Sequence, residues 1–274
     1  MKNKLSVTLA IAVLLLSSPC IFAAGTNDST VELKALVTKI RADVRAGKTT
    51  ETALADDLKQ FDVLLAEHKG EKTDAVARIL YMKAMLYVEV FHNDAKAAEL
   101  KKQLKTDFKG TELVASLEKQ EARQAEAKKI QADLAEGTQF PDFNEKDTAG
   151  KPLSVAGCKG KVVLIDFWAT WCGPCRGEIP NVVATYGKYH GKGFEIIGVS
   201  LDQDQQKLLN FTKQNNMIWP QFFDGQGWNN KLAVKYGIES IPATFLLDGN
   251  GKIIGKDLRG EELEQAIAKA LGGK

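Results

Sequence analysis

The chain is poor in histidine, cysteine and net charge, and each shortage removes a class of function. It has three histidines, His68, His92 and His190, and none falls at metal-ligand spacing. No second cysteine pair completes a zinc set, so the sequence implies no metal. Four cysteines in 274 residues, Cys20, Cys158, Cys172 and Cys175, are too few to staple a chain of this length. A formal charge of +2 gives no support for nucleic-acid binding. Proline is missing from about residue 28 to 136 and glycine is sparse there. That excludes a turn-rich all-β fold for this stretch and leaves long helices.

The first 25 residues read as an export signal. Lys2 and Lys4 form a positive flank, and Leu5 to Leu16 is an apolar stretch too short for a comfortable membrane span. Ser17-Ser18-Pro19 breaks it, and Ala23-Ala24-Gly25 supplies small residues for cleavage. Lipid attachment at Cys20 is the lesser alternative, because Pro19 replaces the small residue such signals use, and an uncleaved anchor is disfavoured by length. Cleavage leaves a nearly neutral chain with three cysteines: one pair and one spare thiol.

Residues 26–136 then form a first domain, rich in Ala, Leu, Lys and Glu. Apolar residues recur at helical spacing: Leu33, Leu36, Val37, Ile40; Leu54, Leu58, Phe61, Leu65; Val76, Ile79, Leu80, Met82, Leu86. Thr50 and Thr73 are candidate caps, and Gly47, Gly70 and Gly110 punctuate helix ends. The spacing predicts about five antiparallel helices in a bundle. Residues 77–108 resemble one tetratricopeptide-type hairpin, without the second copy a repeat array needs. A charged helix, Glu112 to Glu136, leads to Gly137-Thr138-Gln139-Phe140-Pro141, read as the boundary of a second domain, 137–274.

In that second domain strand and helix signals alternate. Lys151–Val155 is a short strand. Val162–Trp168 and Phe194–Leu201 are buried strands, with Pro174–Tyr189 helical between them. Helices come next at Gln205–Asn215 and Asn229–Tyr236. Asp248-Gly249-Asn250-Gly251 joins the strands Ala243–Leu247 and Lys252–Gly255 as a hairpin, and Glu261–Leu271 closes with a helix. A βαβ unit followed by ββα makes an α/β fold, a mixed sheet between helices.

Chemistry concentrates in Trp171-Cys172-Gly173-Pro174-Cys175, where the first buried strand hands over to a helix. Cys172 sits at the first turn, where unpaired N–H groups and the helix dipole favour a thiolate nucleophile. Cys175, one turn on, can attack a mixed disulfide and release the substrate. Pro174 needs no N–H in that turn. Asp166, an acid inside an apolar strand, is either surface-facing or a buried carboxylate of raised pKa able to relay a proton for Cys175. Glu178, on the helix after Cys175, is a second candidate acid or a solvated residue. Cys158 reads as a free loop thiol, with a mixed or intermolecular disulfide the lesser alternative.

The runs Lys161–Pro180, Gly198-Val199-Ser200-Leu201-Asp202 and Tyr236–Asp248, in that order, resemble the thioredoxin superfamily, and within it the exported TlpA/ResA-like branch. The resemblance covers about half the chain. It implies a thioredoxin fold, no bound cofactor beyond a redox-active Cys172–Cys175 disulfide, and a cis Pro242 facing the dithiol. It also implies substrate contacts at Trp171, Gly173, Pro174, Pro242 and the backbone of Ile241. Asp166 matches the thioredoxin aspartate and Glu178 a glutamate of the ResA-like branch. Thioredoxins pair their aspartate with a lysine on the next strand, and Gly198-Val199-Ser200 offers none.

The expectation is therefore an exported thiol–disulfide oxidoreductase of the periplasm or cell envelope. It would reduce disulfide-containing envelope proteins and draw electrons from a membrane thiol donor, with cytochrome c maturation one client pathway. The rival readings are a partner-binding or assembly protein dominated by its helical domain, and a disulfide oxidase or isomerase. The helical domain itself would dimerise, dock a client or act as a spacer.

Overall fold

The computed structural model describes residues 28–272, so the expected leader and Cys20 lie outside the described residues. The chain forms two compact units, one ending at Glu121 and one beginning at Ala122.

The first unit is helical: α1 (Asp28–Arg45), α2 (Ala55–Glu67), α3 (Asp74–Glu89), α4 (Asp94–Asp107) and the start of α5 (Glu112–Asp133). The five expected helices are present. The apolar stripe of α1, Leu33, Leu36, Val37 and Ile40, is buried in one core with Phe61 and Leu64 of α2 and the apolar face of α3. Helix α3 touches α1, α2 and α4. Its Val76, Ala77, Ile79, Leu80, Met82, Ala84 and Leu86 are accordingly buried nearly all round. Thr73 caps α3, its hydroxyl accepting from Val76 N–H at 3.3 Å. Thr50 does not cap α2: it accepts from Ala53 N–H at 3.2 Å in a preceding turn. The N-cap position is Leu54, whose side chain is fully buried. Core packing, rather than a polar cap, decides where α2 starts.

The unit boundary falls inside α5, ahead of the turn at Gly137. The second unit contains a two-stranded ribbon, β1 (Glu145–Lys146) with β2 (Pro152–Leu153), and then β3 (Val162–Trp168), α6 (Gly173–Tyr189), β4 (Phe194–Ser200), α7 (Gln205–Gln214), β5 (Gln221–Phe223), α8 (Lys231–Lys235), β6 (Ala243–Leu247), β7 (Ile253–Lys256) and α9 (Gly260–Ala270). The main sheet has the order β5-β4-β3-β6-β7. Strands β3, β4 and β5 are parallel, while β6 and β7 run antiparallel to their neighbours. Sequence patterning missed β5, which is three residues long, too short for a periodic signal.

Strand β3 is central and all seven of its residues are buried. Full burial of each large apolar side chain contributes roughly 1.5–3 kcal/mol, so β3 is the firmest element from which a site could project. The second half of α5 packs on this unit. Gln131 Nε2 donates to the Tyr236 carbonyl at 2.6 Å, and Lys256 Nζ donates to Gln131 Oε1 at 2.8 Å. Gly237 has φ +63°, and a Cβ there would lie 2.7 Å from the Ala127 carbonyl oxygen. Backbone handedness and close approach of α5 therefore both require glycine.

Gly237→Ala is expected to cost at least about 1–3 kcal/mol in chemical denaturation. Gly47→Ala, also at positive φ but with no atom within 4 Å of the added Cβ, should lose only the backbone part. Equal losses would show that the α5 contact adds nothing.

Candidate active site

Strand β3 ends at Trp168, and a short turn later Cys172 occupies the N-cap of α6. Gly173 and Pro174 open the helix, and Cys175 lies within the first turn. Cys175 N–H donates to Cys172 Sγ at 3.2 Å. The two sulfurs are bonded, with the Cα atoms 5.3 Å apart. Both cysteines are buried, whereas Trp171 beside them is 52% exposed. Trp168 is buried and borders the cavity under the dithiol, with its indole N–H donating to Gln221 Oε1 at 3.0 Å.

The turn carrying the dithiol is tethered by Asp202, whose residue type and position in the sequence pointed to no role. Its buried carboxylate accepts from Thr170 N–H at 3.1 Å, Thr170 Oγ1 at 2.6 Å and Ser200 Oγ at 2.8 Å. Asn230, fully buried, extends the tether by donating to the Ser200 carbonyl at 3.2 Å and to Asp224 Oδ1 at 3.1 Å. Its own Oδ1 accepts from Leu232 and Ala233 N–H and caps α8. A short Asp or Asn in a loop is a generic turn residue in sequence, so neither residue's role as a tether was legible there.

The Ile241–Pro242 peptide is cis. The Ile241 carbonyl oxygen lies 3.7 Å from Cys172 Sγ, so this loop faces the dithiol. Arg259, in the turn before α9, donates from Nη2 to the Pro242 carbonyl at 2.7 Å. Arg259 is far from the loop in sequence and carries no local signal of this contact.

Beneath the disulfide lies a small cavity of about 20 Å³, lined by Asp166, Cys175, Glu178, Pro242, Thr244 and Arg259 among others. Asp166 is buried in mid-β3, paired with Gly198 on one side and Thr244 on the other. Burial pushes its carboxyl up to about 7, against the nearby positive charge of Arg259 and with the negative charge of Glu178. Arg259 thus supplies a positive charge where the neighbouring strand offers no lysine. Glu178 Oε1 accepts from Gly260 N–H at 2.5 Å, joining α6 to the start of α9. Its carboxylate is therefore engaged at a helix N-terminus as well as bordering the cavity.

The structure brings together Cys172, Cys175, Asp166, Glu178, Trp171, Gly173, Pro174, Ile241 and Pro242. Cys158 stands apart. It lies in the turn before β3 while the dithiol comes after β3, a strand length of roughly 20 Å away. Its thiol is free and half-buried, and burial pushes its pKa up, with Glu195 acting the same way. Among the described residues no group of three or more His, Cys, Asp or Glu is placed to hold a metal ion.

Residues 135–271 match the Redoxin family. Thiol-disulfide oxidoreductase ResA of Bacillus thuringiensis subsp. konkukian (strain 97-27) is 35% identical over 135 residues, 49% of this chain and 76% of that protein. The protein of the same name from Bacillus subtilis (strain 168) is 31% identical over 121 residues, 44% of this chain and 66% of its own length. Among solved structures, the thioredoxin domain of a thiol-disulfide oxidoreductase from Bacteroides vulgatus is similar at 33% identity, over 50% of this chain and 99% of that one, with a TM-score of 0.47.

The elevated carboxyl of Asp166 makes stability depend on pH. An unfolded aspartate ionises near pH 4, so between about pH 4 and 7 the native state holds a proton that the unfolded state has lost. Stability is highest below that window and falls as pH rises through it. From pH 5 to 8 the oxidised protein should lose roughly 2–3 kcal/mol by denaturant titration, and Asp166→Asn should remove most of that loss. An unchanged pH slope in the variant would place the titration elsewhere.

Proposed function

The chain belongs to the Redoxin family and is a thioredoxin-like thiol–disulfide oxidoreductase, and on that premise we propose that it reduces disulfides of proteins in the cell envelope. The observation that carries the reading is the position of Cys172 Sγ. It sits at the N-cap of α6, receives the Cys175 N–H and faces the Ile241 carbonyl. A thiolate there is favoured by the helix N-terminus and lies beside backbone able to hold an extended substrate.

In the working direction the reduced protein presents the Cys172 thiolate to a client disulfide. The thiolate attacks one client sulfur, the client S–S bond breaks, and the departing client thiolate takes up a proton. Cys172 is then joined to the client. Cys175 gives its proton to the Asp166 carboxylate, whose pKa near neutrality suits both taking and returning it. The cavity that both residues line has room for about one water to relay the proton. The Cys175 thiolate attacks Cys172 Sγ, releasing the second client thiolate and closing the Cys172–Cys175 bond. Two electrons have passed to the client, and a dithiol donor restores them by the reverse exchange.

The sequence supports the location and direction. The leader-like first 25 residues point to export, and Gly-Pro between the cysteines points to a reducing potential. A membrane thiol transporter would be the donor, and apocytochrome c, with its Cys-x-x-Cys-His ligand motif, is one client of fitting chemistry.

Cys175→Ser in the envelope should accumulate mixed disulfides through Cys172, identifiable by mass spectrometry, and adding Cys172→Ser should abolish them. The wild-type potential should lie near about −270 mV rather than about −120 mV, the reducing and oxidising ends of thioredoxin-type proteins. Absence of adducts under reducing conditions would sink the exchange mechanism, and an oxidising potential would reverse its direction.

A further inference from the structure

A path of contacts leads from Trp171 beside the dithiol to the Ile241 loop that faces it, and one link comes from outside the family-matched residues. Trp171 precedes Cys172, and its ring lies 5.9 Å from that of Trp228, tilted by 57°. The Trp228 carbonyl accepts from Arg123 Nη2 at 2.7 Å, and the next residue's Asn229 Oδ1 accepts from Nη1 at 3.3 Å. Arg123 Nε donates to Glu239 Oε1 at 2.8 Å. Two residues beyond Glu239 is Ile241, whose carbonyl faces Cys172 Sγ.

Arg123 thus ties the Trp228 loop to the cis-proline loop, using a planar fork that lysine lacks. It stands on α5, which is itself seated on the second unit by Ala127 against Gly237 and by Gln131 against Tyr236. Trp171 and Trp228 remain 52% and 38% exposed beside the reacting sulfur. Large aromatic side chains left partly open next to a nucleophile form a surface suited to an apolar partner. The path's two charged groups, Arg123 and Glu239, are paired with each other, so the shelf offers neither of them to a charged client residue.

We propose that Trp228, positioned by Arg123, is a specificity-determining residue that forms with Trp171 a shelf for an apolar or aromatic side chain flanking the client's disulfide. The proposal rests on the disulfide-reductase reading. An extended client segment running along the Ile241 backbone presents alternate side chains to one face, so the residue two positions from its cysteine can reach the indoles while the cysteine reaches Cys172.

The test uses the reduced full chain in single-turnover oxidation, followed by thiol alkylation. The oxidants are bis(2-hydroxyethyl) disulfide, too small to reach the shelf, and two disulfide-cyclised peptides differing only by Phe or Ser two positions before the first cysteine. Wild type should react about fivefold faster with the Phe peptide than with the Ser peptide at low concentration, the scale of one aromatic contact. Trp228→Ala should erase that preference by raising the half-saturation concentration while leaving the maximal rate unchanged. Trp228→Phe should keep most of the preference, and Arg123→Ala should weaken it in the same direction. The small disulfide should react equally with all four proteins. Equal wild-type rates on the two peptides would overturn the shelf, as would a uniform slowing of the Trp228→Ala and Arg123→Ala variants on all three oxidants. Inertness of the wild type towards all three would instead overturn the reductase reading itself.

Discussion

The corner between β3 and α6 is the constraint on which the site depends. Strand β3 is buried along its whole length and paired on both sides, so its C-terminal end has one direction. The short turn after Trp168, held by the Asp202 carboxylate, passes that direction to α6. Cys172 therefore arrives at a helix N-terminus rather than in a mobile loop, and its sulfur takes a backbone hydrogen bond before any substrate is present. The chemistry depends on this placement, because an anion at that position meets oriented N–H groups whose desolvation the fold has already met.

Two buried aspartates in this unit show how environment assigns a role. Asp202 accepts hydrogen bonds from backbone and hydroxyl donors and acts as a tether. Asp166 instead borders a small cavity with Cys175, and burial lifts its carboxyl to a value useful for proton transfer near neutrality. Arg259 serves both the cavity and the loop facing it. Its charge opposes the elevation of Asp166, and its guanidinium holds the carbonyl of Pro242. One side chain thereby touches both the Asp166 cavity and the backbone of the loop that faces Cys172.

By its contacts the second half of helix α5 belongs with the sheet-containing unit. Patterning along the chain placed a boundary at Gly137 because glycine and proline gather there. The contacts of Arg123, Ala127 and Gln131 attach that half of the helix to the segment leading into the cis proline. An amphipathic pattern states that a helix has an apolar face, but not which unit that face meets. For the same reason the charged residues of α5 gave no hint that Arg123 reaches the rim of the dithiol.

Local order in the sequence determined the alternation of strand and helix, the five N-terminal helices, the Asp248–Gly251 hairpin and the reactive pair Cys172–Cys175. These are encoded by periodicity, turn residues and short spacing within a few neighbouring positions. Tertiary structure alone decided that Asp166 is internal, that Arg259 stands where a lysine was absent, and that Trp228 joins Trp171. Each of those facts depends on residues tens of positions apart meeting through packing, and burial and field strength at a point in space leave no mark on the local pattern of residues.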